Sequence, residues 1–389
     1  MSDAPFDPSG FLPDALLDRI RSRAVTHDRE NTFPADDLAD LTDAGYLGIL
    51  VPRDLGGAGL GLREASILQQ RLATAAPATA LAINMHLVWT GVAKVMADHG
   101  VDDLRFVHEG AVAGEVFAFG ISEAGNDLVL FGSDTTAEPQ PDGGYAFTGT
   151  KVFTSLGPVW TQLGLHGLDT TSPDAPKLVY AFVPRTDAVR TRDDWDTLGM
   201  RATQSRTTEL HGVVAPPDRV VRRVDPGPNP DPIVFGIFSV FELLLASVYT
   251  GIARRALDVA VDTARARVSK RSGLPYADDP DIRWRIADMA LAYDALPMQV
   301  ESLAADVDAL ADHGGLWFAK LSGVKHRAVM MAKRVVDDAM LVAGGSSYFA
   351  ANELSRLYRD VLAGMFHPSD PESAHNTSAT AWLGPPSSH

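Results

Sequence analysis

One stretch of the chain, residues 113–214, has a different pattern of apolar residues from everything around it. Short runs of Val, Phe, Tyr and Thr are separated there by Gly, Pro and Asp-Gly, as in antiparallel strands joined by tight turns. On both sides of this stretch apolar residues recur at helical spacing. The sequence therefore predicts a mainly helical protein with a small β domain in its middle. The seam between such layers is a natural place for a flat cofactor.

The helical block before the β domain contains a segment with almost no charge. Between Ala78 and Met96 the only charged side chain is Lys94, and a helix this apolar is expected to lie buried at the centre of a molecule. His86 belongs to the same segment. A lone histidine on such a face is usually a hydrogen-bonded core residue, and the alternative is a functional role.

The block after the β domain has the pattern of an antiparallel helical bundle. A linker rich in Pro and Asp covers residues 225–232, and long helical segments follow at 235–268, 281–313, 316–344 and 352–365, with short loops between them. The predicted division is a helical N-terminal domain over 1–112, a β domain over 113–225, a bundle over 233–366 and a polar tail over 367–389.

Charge and composition exclude several classes of protein. The net charge is −16 and the pI is near 5.0, which argues against binding to nucleic acids or to anionic membranes. The chain has no cysteine, so disulfides, thiolate nucleophiles and cysteine-bound metal centres are ruled out. We expect neither a signal peptide nor a membrane span, since no basic and apolar leader and no long charge-free apolar run is visible. The expected location is the cytoplasm.

Four groups of motifs follow one another along the chain. They are Ala44-Gly45-Tyr46-Leu47-Gly48 with Val51-Pro52 and Gly56-Gly57; Phe119-Gly120-Ile121-Ser122-Glu123 with Lys151-Val152-Phe153-Thr154-Ser155; Leu198-Gly199-Met200-Arg201-Ala202-Thr203; and Gly344-Gly345 with Arg356-Leu357-Tyr358-Arg359-Asp360. In this order they resemble the acyl-CoA dehydrogenase family over almost the whole chain, from about Phe33 to Pro368.

The resemblance implies a fold with a helical N-domain, a small middle β-barrel or sandwich, and a C-terminal four-helix bundle. It also implies a homotetramer or dimer that binds FAD and oxidises an acyl thioester, such as an acyl-CoA, at its α and β carbons. A base would take the α proton while hydride passes to N5 of the flavin. An electron-transfer flavoprotein would then be a partner.

The resemblance also suggests which residues hold the flavin. Backbone N–H groups and hydroxyls near N1 and O2 would stabilise the charge of the reduced ring. The resemblance implies Phe119, Ile121 and Ser122 along that edge, and Phe153, Thr154 and Ser155 beside the ring. It also implies Asn126 near the pyrophosphate, and Gly344 and Gly345 in the glycine turn.

The usual catalytic base of the family is missing from this sequence. The family places a Glu eight residues after the Asp of its Arg-Asp motif, and counting from Asp360 that position is Pro368. Glu242, in an apolar run of the first bundle helix, is the alternative base. A carboxylate among apolar neighbours is costly to bury unpaired, so Glu242 is predicted to be either a functional acid or half of an ion pair.

The missing Glu supports a second interpretation. Two-component flavin monooxygenases of similar fold lack it, and they take reduced flavin, FAD or FMN, from a separate flavin reductase. A histidine near the ring then assists the reaction with O₂, and His367 and His86 are the candidates. For His367 the alternative is a position in a surface turn. A third interpretation, a bundle that only binds partners, requires the flavin motifs to be accidental. The small-molecule substrate cannot be predicted from the sequence.

Overall fold

The computed structural model describes residues 6–386 and shows a β domain between two helical blocks. The helices of the first block are α1 (Asp14–Glu30), α2 (Ala35–Asp43), α3 (Leu62–Ala73), α4 (Pro77–Asp98) and α5 (Arg105–Val112). Those of the second are α6 (Pro232–Ala266), α7 (Pro280–Asp308), α8 (Trp317–Ala343), α9 (Glu353–Leu362) and α10 (Pro371–Leu383). The predicted fold class is confirmed.

The β domain forms one sheet that is antiparallel except where β1 and β2 pair with β4. Its strands are β1 (Phe117–Gly120), β2 (Thr136–Pro139), β3 (Tyr145–Thr154), β4 (Gln162–Asp169), β5 (Lys177–Pro184), β6 (Val189–Thr191), β7 (Arg206–Ala215) and β8 (Val220–Val224). Within the described residues their order is β6-β7-β3-β2-β4-β5-β8, and β1 pairs with β4 in parallel. Phe119 lies opposite Gly164 in that pairing.

Helix α4 joins the sheet to the rest of the core. The indole of Trp89 donates a 2.9 Å hydrogen bond to the carbonyl of Ala118 in β1. Its ring lies so close to β4 that a Cβ on Gly164 would come within 2.3 Å of it, so a side chain larger than hydrogen is excluded at that position. The position of β1, and of the residues that follow it, is therefore set by α4.

The two most apolar helices lie inside the molecule. By length and composition α4 and α6 could each cross a membrane, but 89% and 83% of their most apolar windows are buried in the structure. Such burial is typical of core helices, as predicted for residues 78–96. The helices α6, α7 and α8 pack side by side and form the bundle.

The C-terminal region differs from the predicted polar tail, because residues 371–383 form helix α10. Asp370 caps this helix by accepting a 2.8 Å hydrogen bond from the backbone N–H of Ser373, and Pro371 occupies its first turn. Both are strong helix-start signals. Ala374 is buried as α10 packs on α8. The polar composition of this region did not indicate a helix, because α10 buries only a narrow apolar face against α8.

Candidate functional site

A cavity of about 310 Å³ lies at the seam between the β domain and the bundle. Its walls come from α4, from the ends of β1 and β3, from a loop over residues 195–205, from α6 and from the segment that follows α9. The lining residues are Leu81, Met85, Phe119, Ser122, Phe153, Ser155, Trp195, Thr197, Leu198, Gly199, Met200, Thr203, Ser205, Phe241, Leu245, Arg359, Leu362, Ala363, Phe366, His367 and Pro368.

Four of the residues that the resemblance assigned to the flavin are brought together here. Phe119, Ser122, Phe153 and Ser155 all line the cavity. The ring of Phe119 stacks on that of Phe241 from α6, with centroids 5.3 Å apart and planes at 24°. A cavity bounded by flat aromatic side chains suits a flat ring system.

The other five assigned residues lie outside the cavity lining. Ile121 and Thr154 are buried behind it. The side chain of Asn126 donates to a carboxylate oxygen of Glu123 at 2.7 Å and so stabilises the loop after β1. Gly344 and Gly345 begin a turn at the end of α8. Their assignments to the flavin stay predictions, and the cavity itself does not depend on them.

Three hydroxyl groups form a row of hydrogen bonds that ends in the cavity. The Oγ atoms of Ser155 and Ser205 are 2.7 Å apart, and Ser205 Oγ is 2.7 Å from Thr203 Oγ1. Thr203 Oγ1 lies 2.9 Å from the carbonyl oxygen of Met200. A carbonyl can only accept, so Thr203 donates to it, Ser205 donates to Thr203, and Ser155 donates to Ser205. The lone pairs of Ser155 are then left to accept a hydrogen bond from a ligand.

The loop after β1 is held by a buried ion pair. Lys151 of β3, fully buried, donates to Glu123 at 2.6 Å. The Glu123 carboxylate also accepts from the backbone N–H groups of Asp134 and Thr135. These partners offset burial and hold the pKa of Glu123 well below its usual range. Ser122, which precedes this carboxylate, is thereby fixed at the cavity wall.

His367 is the one predicted catalytic residue that the structure places on the cavity wall. Its Nδ1 lies 3.3 Å from the hydroxyl oxygen of Tyr249. Burial and the nearby charge of Lys325 lower the pKa of His367 to about 3. The imidazole is therefore neutral at ordinary pH, and one of its ring nitrogens can accept a hydrogen bond. The alternative prediction of a surface turn does not fit a half-buried residue that lines a cavity.

Glu242 does not face the cavity, and its predicted role as the base is not supported. Its Oε1 accepts two hydrogen bonds from Ser369, one from the backbone N–H at 2.9 Å and one from Oγ at 2.8 Å. Burial raises the pKa of Glu242 to about 7, against the opposing charge of Lys325. Its neighbours Phe241 and Leu245 line the cavity instead. A helical pattern alone could not tell which of these residues faces inward.

His86 is a core residue and also lies outside the cavity lining. Its Nδ1 accepts a 3.2 Å hydrogen bond from the backbone N–H of Phe117, so Nε2 carries the hydrogen and donates it to the carbonyl of Leu47 at 3.0 Å. Burial lowers the pKa of His86 to about 4. Both ring nitrogens are bonded to backbone groups, as expected for a core histidine, and the catalytic role of His86 stays a prediction.

The role of the loop over residues 195–205 was not expected from the sequence, where residues 198–203 stand out only as part of a motif. This loop covers one side of the cavity and is attached to two other parts of the chain. Arg359 donates to both carboxylate oxygens of Asp28, at 2.9 and 2.5 Å, and to the carbonyl of Leu198 at 3.1 Å. Asn31 donates to the carbonyl of Trp195 at 2.5 Å, and Gln204 donates to that of Asn31 at 2.8 Å.

Among the described residues that line the cavity, none is a carboxylate, and the position where the base was expected is filled by the ring of Pro368. The single cationic lining residue is Arg359, whose charge is compensated by Asp28. The interior therefore offers aromatic rings, hydroxyls and one neutral imidazole.

Comparison with known proteins matches both helical parts of the chain to one family. The family models described as "Acyl-CoA dehydrogenase, N-terminal domain" and "Acyl-CoA dehydrogenase, C-terminal domain" match residues 14–105 and 243–369. Amino sugar nitrososynthase RubN8 of Streptomyces rubradiris is 28% identical over 367 residues, which are 93% of this chain and 86% of the relative. Dibenzothiophene monooxygenase of Rhodococcus qingshengii is 28% identical over 379 residues, 92% and 88% of the two chains.

A solved structure agrees with these similarities. KijD3, in complex with FMN and dTDP-3-amino-2,3,6-trideoxy-4-keto-3-methyl-D-glucose, superimposes with a TM-score of 0.86 at 30% identity, over 98% of this chain and 95% of that one.

Proposed function

Because the chain belongs to the acyl-CoA dehydrogenase family, a family of flavin-dependent enzymes, we propose that it is a monooxygenase that uses reduced flavin and O₂. Bound reduced flavin would supply two electrons to O₂, of which one atom enters the substrate and the other leaves as water. The residues present fit a flavin ring, since aromatic side chains bound the cavity and hydroxyls face into it.

The observation that carries the proposal is the lack of a carboxylate at the cavity wall. Dehydrogenation of an acyl thioester needs a base that can reach the α proton, and the lining residues among those described include no Asp or Glu. Pro368 stands where the family has its base, and the carboxylate of Glu242 is turned to Ser369. The predicted acyl-CoA oxidation is therefore the less favoured alternative.

The row of hydroxyls supports the use of reduced rather than oxidised flavin. Since the Met200 carbonyl orients the hydrogen atoms of Thr203, Ser205 and Ser155 away from the cavity, Ser155 is left as an acceptor. Position N5 of a flavin carries a hydrogen only in the reduced ring, so an acceptor at Ser155 favours that state. A site that binds reduced flavin more tightly than oxidised flavin suits an enzyme that receives reduced flavin from a separate reductase.

His367 would act as the residue that orients a proton of the reacting group by accepting a hydrogen bond. It is neutral at the pH of ordinary solutions and it lines the cavity. A neutral imidazole fixed on the cavity wall can accept a hydrogen bond from a reacting group and so orient its proton. The hydroxyl of Tyr249 beside Nδ1 limits how the ring can turn.

The lining also suggests the class of substrate. An ion buried without a partner is strongly disfavoured, and the guanidinium of Arg359 is already paired with Asp28. We infer that the substrate inside the cavity is small, uncharged and largely apolar. We propose FMN rather than FAD as the flavin, because KijD3, 30% identical over 98% of this chain, was solved in complex with FMN.

The exposed face of α7 supports assembly with further copies of the chain. Trp284, Leu291 and Met298 recur every seven residues and are 72%, 74% and 63% exposed. Large apolar side chains exposed in a row along one helix, here called the apolar stripe, are typical of a protein–protein interface. We propose that it is covered in a homo-oligomer.

The proposal is tested by measuring flavin affinity in both redox states, anaerobically, by fluorescence quenching. Reduced FMN is expected to bind at least tenfold more tightly than oxidised FMN, and Ser205→Ala should reduce this ratio, because it breaks the hydroxyl row. Ser239→Ala, a buried serine that bonds to its own helix, is the matched control. The proposal is wrong if, without O₂, one equivalent of a short-chain acyl-CoA bleaches the absorbance of FAD bound to the protein.

A further inference from the structure

The segment after α9, which contributes Phe366, His367 and Pro368 to the cavity wall, is held from behind by two buried charged residues on different helices. Lys325 of α8 and Glu242 of α6 are each 1% exposed. Neither lines the cavity. The expected role of a buried charge is either a functional one or an ion pair, and here both charges are directed at the same short stretch of backbone.

Lys325 uses all the donors of its ammonium group on this segment. Its Nζ donates to the carbonyl oxygens of Gly364, His367 and Ser369, at 2.9, 2.8 and 2.8 Å. An ammonium has three N–H donors, so the group is fully satisfied by three carbonyls within six residues. Such an arrangement fixes the path of the backbone on both sides of the His367 side chain.

Glu242 holds the same segment from the other side. Its Oε1 accepts from both the backbone N–H and the hydroxyl of Ser369, whose carbonyl is bound by Lys325. Every polar group of Ser369 is thereby engaged by one of the two charges. The charges stabilise each other through this residue, since the ammonium favours the carboxylate form of Glu242 and the carboxylate favours the ammonium form of Lys325.

The packing leaves no room for this segment to shift toward the bundle. A Cβ on Gly364 would lie 2.7 Å from a methyl carbon of Val329 and 2.8 Å from the ring of Tyr249. The backbone therefore rests directly on these two side chains. Tyr249 is also the residue whose hydroxyl lies beside Nδ1 of His367.

We propose that Lys325 and Glu242 are positioning residues, which clamp residues 364–369 and thereby set the place of the His367 imidazole in the cavity. They touch neither the substrate nor the flavin. The proposal explains why two ionisable side chains are kept in an apolar bundle, where burying them costs free energy. It rests on the proposed function only for what His367 then does.

The clamp is tested by hydrogen–deuterium exchange of the backbone amides of residues 364–369, followed by mass spectrometry in the full-length protein. Lys325→Met, which removes all three donors, is expected to speed exchange in this segment at least tenfold and to leave α4 unchanged. Glu242→Leu should do the same at Ser369, whereas Glu242→Gln, which keeps an oxygen acceptor, should change exchange less than threefold. Lys320→Met, on the same helix, is the control.

A second measurement connects the clamp to catalysis. With reduced FMN, O₂ and a neutral aromatic substrate such as indole, Lys325→Met is expected to lower kcat at least tenfold and to release more hydrogen peroxide per flavin oxidised. The affinity for reduced FMN should stay within threefold of that of the unaltered protein. A purely structural role would instead weaken flavin binding and speed exchange throughout the chain.

The outcomes separate this proposal from the proposed function. Unchanged exchange at residues 364–369 in both Lys325→Met and Glu242→Leu overturns the clamp, whatever the enzyme catalyses. Faster exchange with unchanged kcat and peroxide release overturns the positioning of His367. If Lys325→Met does not fold, Glu242→Leu and Ser369→Ala give the same comparison. Failure of reduced FMN to bind to the unaltered protein contradicts the proposed function and leaves the exchange result to decide the clamp.

Discussion

The backbone N–H of Met200 donates a 2.6 Å hydrogen bond to Oδ1 of Asp360, and this bond joins the loop over the cavity to α9. Asp360 is 1% exposed, and its Oδ2 has no hydrogen-bond partner within residues 6–386. Burial raises the pKa of Asp360 to about 6, although the charges of Arg356 and Arg359 act against it. The acceptor of this short hydrogen bond, the side chain of Asp360, is thus a carboxyl group that is costly to ionise.

We expect Asp360 to make stability depend on pH in a direction unusual for an acid. Because its pKa is higher in the folded than in the unfolded chain, its contribution is fully present below about pH 4 and is lost as the pH rises through about 6. In Asp360→Asn the side chain at this position is a neutral amide, so folding buries no charge there. Relative to the unaltered protein it should gain about 3 kcal/mol between pH 4 and pH 8, as an order-of-magnitude figure from the shift.

Urea unfolding at the two pH values measures this difference. Asp174→Asn, in an exposed loop, is the control and should shift stability equally at both. A pH-independent effect of Asp360→Asn would contradict the prediction.

The buried histidines predict that the fold is sensitive to acid. Burial lowers the pKa of His86 to about 4, so this residue contributes stability that is present above about pH 6.5 and is lost as the pH falls toward 4. His86→Gln keeps one donor and one acceptor but does not titrate. The variant should be less stable at pH 7 by about 1–2 kcal/mol, the usual cost of weakened buried hydrogen bonds.

The test is the loss of unfolding free energy between pH 7 and pH 4.5, which should be smaller in His86→Gln by about 2 kcal/mol. His375→Gln, at an exposed position on α10, should lose as much as the unaltered protein. Equal losses in all three proteins would show that His86 is not responsible.

Removing the imidazole of His367 is expected to separate binding from chemistry. His367→Asn should lower the rate of oxygenation by about tenfold, the order of magnitude for losing one hydrogen bond to the reacting group. Flavin affinity should change little, because Phe119, Phe153 and the hydroxyl row remain. Since the pKa of His367 is about 3, its protonation should add no step to the pH profile near 6.5.

Stopped-flow measurement of product formation, together with fluorescence titration of FMN, checks both statements. His375→Asn is the matched control on the neighbouring helix. A variant at position 367 with an unchanged oxygenation rate would remove the residue from the proposed mechanism.

A charge placed in the apolar stripe of α7 should prevent assembly. Leu291→Asp introduces a carboxylate at a side chain that is 74% exposed in the single chain, so the monomer should fold normally while the interface is disrupted. Light scattering coupled to gel filtration should then show a smaller particle than for the unaltered protein. Val25→Asp, at an apolar residue 45% exposed on α1, should not change the particle size. A monomeric unaltered protein would refute the interface.

Much of the fold follows from periodicity along the chain. The apolar segment around His86 forms a core helix, and the Val- and Phe-rich runs between residues 113 and 214 form strands. Each of these segments has the apolar pattern that is typical of its own type of element. Helix α10 was missed since its apolar face is little more than Ala374, too narrow to produce a helical pattern. Its cap, Asp370 before Pro371, was the available signal.

The site was harder to predict than the fold because it depends on which way single side chains point. Phe241, Glu242 and Leu245 lie within one turn of α6, yet two face the cavity and the third faces Ser369. The contact of Glu242 with residue 369 joins positions 127 residues apart, which no local pattern reports. The hydroxyl row was missed for the same reason, since Ser155 and Ser205 lie on different strands or loops.

Hydrogen bonds join the end of α1 to the loop over residues 195–205, since the carbonyl of Asp28 accepts from Arg201 and the side chain of Asn31 donates to the carbonyl of Trp195. The end of α1 is therefore part of the enclosure of the site, although Asn31 and Trp195 are 164 positions apart. A shortened chain that starts after residue 33 would retain every lining side chain but would leave that loop without its outer support. Deletion from the N-terminal side would thus weaken one wall of the cavity without removing any residue that lines it.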